Sequence, residues 1–519
     1  MMMRHHSLAF KCRRKRRAPA ARAVLCVLSL GGCAAGPNFT RPVPPPASRY
    51  TAETLRGEGA AAETEVQHFA LGQQIEGAWW TLFRSDAIND LVKQAVANNR
   101  SLTAAAATLK QAQEFALAQA GSQYPQVDLG AQAGRQQYGK EFLGPIGIPP
   151  FTYFAVTPTV SYSLDYTGGI ARSVEQQYAL AEVKRHQLEA AYLAVTGQAV
   201  MQTLAIASAR AQIATVETIL AQDRDNLRLV QTAFDNGSVA REDVLSAQSQ
   251  IANDKTLLPS LRQDLARARH ALSVVLGRVP ASGLPDDVDL QEITLPLEVP
   301  VSLPSELAHR RPDILAAEAQ LHAATSAVGV AQSNLYPKIQ LSASVGQQSL
   351  KPGQLFDASS TAWSLVSGLT APLFDGGTLR AEKRAAVDAM HASAANYEQT
   401  VLEAFAQVAD LLEGLEHDNE QLEAQDQAQQ AAQRSLELAR ISYQEGNAGV
   451  LQVLDAERSY QQARLGYVRA VAQRYLDTVQ LFLALGGTTP SASLAATTSQ
   501  PGQLSRDSAL PRSGAANVF

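Results

Sequence analysis

Cysteine is scarce in this chain, and long apolar runs are absent. Three cysteines occur among 519 residues, and two of them, Cys12 and Cys26, lie within the first 32. An exported protein that has lost this segment retains Cys33 alone, which excludes an internal disulfide. No unbroken run of 18 apolar residues occurs, so no transmembrane helix is expected. A membrane location would then require a closed β-barrel or a covalent lipid.

Aromatic residues and methionines are also few. Aromatics make up 6% of a chain that is 46% hydrophobic, a balance typical of long helices packed through small side chains. Beyond the start only Met201 and Met390 remain, and the histidines show no metal-ligand spacing, so no metal site is expected. No catalytic triad, phosphate loop or nucleotide fingerprint stands out, which predicts a protein that is not an enzyme.

Positive charge is confined to one end. The chain carries a formal charge of −5, and residues 1–32 hold eight Lys and Arg but no acid, so the remainder stands at −13. An acidic protein lacks the basic footprint that nucleic acids require, so no nucleic-acid partner is expected.

The first 33 residues have the pattern of an export signal. A basic stretch at 13–17 precedes the short apolar run 23–28 and the sequence Leu-Gly-Gly-Cys at 30–33. This pattern is typical of a lipoprotein signal, in which Cys33 becomes the acylated first residue of the mature protein. An ordinary signal peptide with an incidental cysteine is the alternative.

Two halves of the chain share landmarks about 209 residues apart, which predicts a tandem repeat. Phe-Asp-Asn-Gly at 234–237 corresponds to Tyr-Gln-Glu-Gly at 443–446, and the Leu-Gly pairs at 276–277 and 485–486 have the same offset. Pairs of Tyr-Pro and of Gly-Gly have similar offsets; they are Tyr124-Pro125 with Tyr336-Pro337, and Gly168-Gly169 with Gly376-Gly377.

Apolar residues alternate at steps of four and three through each half, the period of a coiled coil. The pattern predicts a helix over about 170–233, on the order of 95 Å long, and a counterpart in the second half. Two shorter helices, about 86–120 and 240–276, would stack end to end beside the first long helix. Gly237 and Gly446 would close the tight turns of the resulting antiparallel hairpins, because a positive φ is cheap only for glycine.

Alternating apolar and polar residues predict two strands in each half. They begin at Val127 and Ile339 and return over about 152–166 and 361–374. One apolar and one polar face is the pattern of a barrel wall between lipid and water. A soluble two-faced sheet explains any single strand equally well. Four strands cannot enclose a lumen, and open edges are not tolerated in lipid, so a closed ring with further copies of the chain is expected. Three copies would supply twelve strands.

Several motifs together resemble the outer-membrane efflux proteins (TolC-like), and specifically their lipoprotein branch of the OprM/NodT type. The motifs are Cys33-Ala34-Ala35-Gly36-Pro37-Asn38-Phe39, Trp79-Trp80-Thr81-Leu82-Phe83, Arg310-Arg311-Pro312-Asp313-Ile314, both Tyr-Pro pairs and Phe374-Asp375-Gly376-Gly377. They extend from Cys33 to Gly487.

The resemblance implies a homotrimer of mixed α and β structure. Four strands per chain would form an antiparallel transmembrane β-barrel in the outer membrane, continuing into an α-helical barrel in the periplasm. The implied partners are a periplasmic adaptor (membrane fusion) protein, a proton-driven inner-membrane pump of the RND type, and outer-membrane lipid. The chain would conduct drugs or other small toxic compounds passively, with no cofactor beyond the N-acyl and S-diacylglycerol lipid on Cys33.

The family's duct is constricted just after the glycine turn of the second repeat, and the matching positions are Leu451, Asp455 and Arg458. Spacings of four and three place them on one helical face, where they could pair between subunits. The alternative is a solvated surface pair of little energy. The first repeat has Glu242, Ser246 and Ser249 at the equivalent positions, so only one hairpin carries the Asp-Arg pair.

Arg310-Arg311-Pro312-Asp313 is interpreted structurally, with Pro312 in the first turn of a helix and Asp313 near its N-terminus. Two rival functions remain: an exit duct for peptide or protein secretion, and a structural coiled-coil lipoprotein. The latter gives no reason for alternating strands or Gly-Gly turns. The predicted organisation is a signal peptide (1–32), an acylated Pro/Ala-rich tether (33–75), two duct repeats (76–290 and 291–487) and an unstructured tail (488–519).

Overall fold

The computed structural model describes residues 35–43, 46–47, 49–51, 67–73, 78–139, 149–283 and 288–487. The predicted signal peptide, Cys33 and the predicted tail lie outside the described residues. The chain divides into two compact units. Unit 1 comprises the described residues up to 41 with 111–182 and 318–396, and unit 2 comprises 42–110, 183–317 and 397 onward.

The chain is mostly helical, with two small sheets. The helices are α1 (Asp86–Asn98), α2 (Arg100–Gly121), α3 (Gly169–Asp235), α4 (Arg241–Lys255), α5 (Leu257–Val275), α6 (Pro304–Leu307), α7 (Pro312–Ser333), α8 (Thr378–Gln444) and α9 (Val450–Ala484). The strands are β1 (His68–Leu71), β2 (Gln126–Gln136), β3 (Phe151–Leu164), β4 (Glu298–Val301), β5 (Lys338–Ser349) and β6 (Thr361–Thr370).

The long helices α3 and α8 each contain 67 residues. For α3 the observed bounds agree with the predicted 170–233 to within two residues, because the four-and-three periodicity continues without a proline. Among the described residues α3 alone has a stretch long and apolar enough, by composition, to cross a membrane, and half of that stretch is buried inside the protein. A helix buried in a protein core can have the same length and composition, so this stretch alone does not indicate a membrane span.

The shorter helices are each interrupted where continuous helices were predicted. Asn99 separates α1 from α2 with an extended backbone, and its side-chain oxygen accepts the Ser101 N–H at 2.9 Å. Thr256 separates α4 from α5, and Pro259, two residues beyond the start of α5, has no N–H to continue the helical ladder. A side-chain cap at Asn99 therefore breaks the first helix, and the second is broken at Thr256, just before Pro259.

At two places in unit 2, a side chain at the start of one helix donates a hydrogen bond to a carbonyl at the end of another helix. The Asn99 side-chain nitrogen donates to the Val275 carbonyl, 2.9 Å away, so α2 begins where α5 ends. The Arg311 guanidinium donates to the Ala484 carbonyl at 2.9 Å, where α7 begins and α9 ends. Arg311 also binds Asp313, whose carboxylate accepts the Ile314 N–H, and α7 starts at Pro312. The structural interpretation of this motif is confirmed.

The core of unit 2 is organised around the Trp-Trp-Thr-Leu-Phe motif. Trp79 and Phe83 are fully buried on a 3₁₀ turn, and their rings lie 5.9 and 6.2 Å from the ring of Phe482 on α9. Aromatic burial of this kind contributes much of the packing energy in a chain otherwise rich in small side chains.

The segment predicted to be a tether contains ordered structure. β1 pairs in parallel with β4, with His68 opposite Glu298 and Leu71 opposite Val301. Residues 35–41 pack against other residues of unit 1, as detailed below. The Pro/Ala-rich composition of the segment does not reveal these contacts, because the partners lie more than 100 positions away in the sequence.

Unit 1 contains a four-stranded antiparallel sheet in the order β2-β3-β5-β6. The four strands lie where alternation predicted them. The last ends at Thr370 instead of the predicted 374, because Pro372 has no N–H for a ladder.

Candidate functional site: a two-faced sheet and two hairpin turns

The registers of the four-stranded sheet sort its side chains onto two chemically different faces. Val127 opposes Val160, Val160 opposes Ala343, and Ala343 opposes Leu365, which gives a continuous apolar row across all four strands. The same face carries Leu129, Phe154, Val156, Pro158, Tyr162, Leu164, Ile339, Leu341, Val345, Trp363 and Leu369.

The opposite face is lined by amides and hydroxyls. Ser344 and Ser364 share a hydrogen bond of 2.8 Å between β5 and β6, and Gln132 donates to the Tyr153 hydroxyl at 2.8 Å between β2 and β3. Gly130, Gly134 and Gly346 lie on the same face as these polar residues. Because glycine has no side chain, these positions add no bulk to the polar face.

No residue of these four strands is buried. Trp363 and Leu365 are 78% and 76% exposed, and β2 and β6 each pair along only one side. An exposed apolar face with two open edges is unfavourable in water and predicts a partner surface.

The hairpin turns after α3 and α8 are built alike. Gly237 and Gly446 have φ of +72° and +74°, and the following N–H of Ser238 or Asn447 returns to a carbonyl five residues earlier at 2.8 Å. This is the Schellman arrangement of a helix C-terminus. Beside the sheet, Gly168, Gly376 and Gly377 also have positive φ, whereas Gly169 is the first residue of α3 and packs against Ser333.

Leu451, Asp455 and Arg458 lie in the first turns of α9, next to the Gly446 turn, and all three are exposed. Within the part of the chain that the structure describes, neither Asp455 nor Arg458 forms an ion pair. Their equivalents in the first hairpin, Glu242, Ser246 and Ser249, are exposed on α4. The chain itself brings these residues to one surface but does not pair them.

The other face of α9 carries a polar network that the sequence did not reveal. Glu457 is 1% exposed and accepts from Arg440 on α8 at 3.2 Å and from Asn226 on α3 at 2.6 Å. One turn further, Gln461 donates to Asp223 on α3 at 2.9 Å. One feature of the sequence could have revealed this network: Glu457 and Gln461 lie within the apolar stripe of α9 that runs from Val450 to Leu465.

Burial raises the pKa of Asp223 from its usual 3.8 to about 6, and the carboxylates of Asp254 and Glu457 contribute to the shift. One oxygen of Asp223 is buried without a hydrogen-bond donor among the described residues, which favours the protonated carboxyl group. Apolar side chains lie toward the turns, where Val230, Val244 and Val450 pack together. Across the described ranges, no cluster of His, Cys, Asp or Glu suits a metal ion.

The family described as Outer membrane efflux protein matches residues 91–278 and 303–487. The Pseudomonas putida Pyoverdine export outer membrane protein OpmQ is 30% identical over 415 residues, covering 79% of this chain and 87% of that protein. The cation efflux system protein CusC of Escherichia coli K12 is 28% identical over 470 residues, covering 89% and 98%.

The solved structure of the outer-membrane channel OprN is similar with a TM-score of 0.80 and 28% identity, over 88% of this chain and 99% of that one. The resemblance seen in the sequence motifs and the expected outer-membrane location are thereby confirmed. The family consists of channel proteins, and this chain belongs to it: it is an outer membrane efflux protein.

Proposed function

We propose that the chain is the outer-membrane exit duct of a tripartite efflux pump and that it acts as a homotrimer. The observation that carries the proposal is the exposed sheet with one apolar face, one polar face and two open edges. In a trimer β2 of one chain would pair with β6 of the next, which closes a twelve-stranded barrel and removes every edge. The apolar face would contact lipid and the hydroxyl-rich face would line water.

The helical hairpins of two tandem repeats, 76–290 and 291–487, would form the periplasmic duct. Their ends would bind a periplasmic adaptor protein, which connects the channel to a proton-driven inner-membrane pump of the RND type. We expect the channel to conduct passively and to carry out no chemical step, in keeping with the family membership.

Leu451, Asp455 and Arg458 would form the closed aperture at the hairpin tip. Their exposure and the lack of partners within the described chain leave Asp455 and Arg458 available for ion pairs with neighbouring subunits. An Asp-Arg ring held between subunits is more favourable than the same pair free on a surface, because packing restricts solvent.

Cys33 would carry the lipid after removal of residues 1–32. The substrates are small compounds delivered by the pump. The names of the relatives specify pyoverdine for one and cations for another, so one duct fold serves chemically different cargo.

The decisive experiment is electrophoresis of the detergent-solubilised protein with and without boiling, followed by conductance measurements in planar bilayers. We expect a heat-labile trimer that inserts and conducts ions. A monomer that remains monomeric in detergent and produces no conductance would favour the structural coiled-coil lipoprotein and contradict the proposal.

A further inference from the structure

Residues 35–41 are held against the rest of unit 1 by a series of specific contacts. The Ala35 N–H donates to the Thr167 carbonyl at 2.8 Å, just beyond the end of β3. Arg172, in the first turn of α3, donates to the Ala35 carbonyl at 3.2 Å and to the Asn38 side chain. Arg172 is only 6% exposed, and its guanidinium also binds Glu175 at 2.6 Å. Glu175 thus balances the charge of the buried arginine, and the short segment supplies two further hydrogen-bond acceptors.

Two glycines allow the segment to approach α7 at backbone distance. Gly36 has φ of +84°, and a Cβ there would lie 2.5 Å from the Cα of Gly329. A Cβ on Gly329 would in turn lie 2.7 Å from the Ala35 carbonyl oxygen and 2.8 Å from Arg172. Only glycine at both positions permits this contact.

Two side-chain contacts extend the attachment along α7. The Phe39 ring stacks on His322 with centroids 4.4 Å apart, and His322 is held by Glu175 at 2.8 Å. One turn away, Arg41 pairs with Glu318 at 2.7 Å, and Glu318 is 7% exposed. Each end of the segment is thus fixed by a charged hydrogen bond.

We propose that Thr167, Arg172, Glu318, His322 and Gly329 form a seat for the acylated N-terminus, named here the N-terminal seat. The inference rests on the proposed lipidation of Cys33. Since Cys33 is two residues from Ala35, its lipid leaves the chain within about 7 Å of the seated Ala35. The lipid is therefore placed beside the end of β3, and it sets the depth of the sheet relative to the bilayer surface.

A loose tether would act differently. It would keep the protein near the membrane without defining a height, because a flexible linker samples many distances. If the segment next to the lipid is fixed in the seat, the lipid instead keeps a constant position relative to β3, which enters the proposed barrel. Arg172 and Gly329 are positioning residues for the anchor.

The seat is tested by hydrogen exchange of the Ala35 amide in the full-length, lipidated trimer in vesicles. Arg172→Ala removes the charged hydrogen bonds to residues 35 and 38. Gly329→Ala blocks the backbone contact but should not unfold α7, because alanine stabilises a helix more than glycine does. We expect each variant to accelerate Ala35 exchange roughly tenfold to a hundredfold. The matched controls, Arg384→Ala and Gly414→Ala, alter exposed Arg384 and a helical glycine with open space around it, and should leave the exchange rate unchanged.

A spin label at Pro37→Cys measures position directly, because acylated Cys33 leaves the introduced thiol as the only reactive one. We expect a restricted spectrum and a single membrane depth in the otherwise wild-type chain. Gly329→Ala should give a mobile label and a spread of depths, although the barrel still conducts. A mobile label in the otherwise wild-type chain would overturn the seat.

The mass of the N-terminal peptide separates this inference from the proposed function. A peptide without acyl mass overturns both the lipidation and the role of the seat in placing a lipid. Rapid Ala35 exchange in a chain that does carry the acyl group overturns the seat alone, and leaves the proposed channel intact.

Discussion

Side chains within one stretch of α9 have different surroundings according to the face on which they lie. Asp455 and Arg458 are exposed and have no ion pair among the described residues, whereas Glu457, between them in sequence, is buried against α3 and α8. Helical geometry predicts the two faces, but not which polar residue finds a buried partner.

Replacing Asp455 and Arg458 together by alanine should increase ion conductance severalfold in planar bilayers. The proposed inter-subunit pairs would be lost and the aperture would relax. The increase should be larger at low salt than at high salt, because ions screen the pairs.

Glu242→Ala with Ser249→Ala alters the equivalent positions of the first hairpin and is the matched control. It should leave conductance close to that of the wild type. Equal conductance of the Asp455/Arg458 variant and the wild type at low salt would remove the aperture role from these residues.

The raised pKa of Asp223 predicts a pH dependence of stability. The folded chain binds a proton more tightly than the unfolded chain, so this group lowers the free energy of unfolding as pH rises from 3.8 to about 6. Asp223→Asn stays neutral over this range. The stability of the variant relative to wild type should therefore increase between these pH values, as measured by thermal unfolding.

A constant difference between Asp223→Asn and wild type from pH 4 to 7 would contradict the raised pKa of Asp223. Asp254→Asn should reproduce the effect only in part, because Asp254 contributes to the shift but burial is its largest cause.

At the scale of elements, the turns show how much of the fold follows from local chemistry. Gly237 and Gly446 were expected at hairpin turns because each follows a long periodic stretch, and both have the left-handed backbone there. The interruptions at Asn99 and Thr256 were not expected, because the apolar pattern continues through both positions. The capping bond at Asn99 and the proline that follows Thr256 override this pattern.

Gly446→Ala should destabilise the hairpin by about 1–2 kcal/mol, since a left-handed conformation is costly for any residue with a Cβ. The melting temperature of the solubilised protein measures the effect. Gly414→Ala is the control with the opposite sign: it lies inside α8, where alanine should stabilise by about 0.5–1 kcal/mol. Similar effects of both substitutions would contradict the role of the turn.

At the scale of the whole molecule, the proposed function gives the two-faced sheet its partner surfaces in lipid and in neighbouring chains. Leu365 and Ser364 are neighbours on β6 that belong to opposite faces. The proposed barrel places the first in lipid and the second in the water-filled lumen, so the same substitution should have different consequences at the two positions.

Leu365→Arg should reduce insertion and trimer yield, because arginine on the lipid face costs about 2–4 kcal/mol at the bilayer midplane. Ser364→Arg should assemble normally and shift ion selectivity toward anions. Unboiled gels and reversal potentials report the two effects. Equal trimer yields for both variants would contradict the assignment of the faces.

Sequence alone determined the features that repeat at short range. Steps of three and four residues specify the long helices, alternation specifies the four strands, and glycine marks the turns, because each depends on neighbours within a few positions. Motif content was sufficient to indicate the family, and the acidic charge predicts that nucleic acid is not a partner.

Only the tertiary structure decided which distant residues meet. The seating of residues 35–41 against α3 and α7, the parallel pairing of β1 with β4, and the network that joins Glu457 to Asn226 and Arg440 all depend on folding. Most of these contacts connect positions more than 100 residues apart, and no local period encodes such partners. Burial then raised the pKa of Asp223, an effect that exists only once water has been excluded.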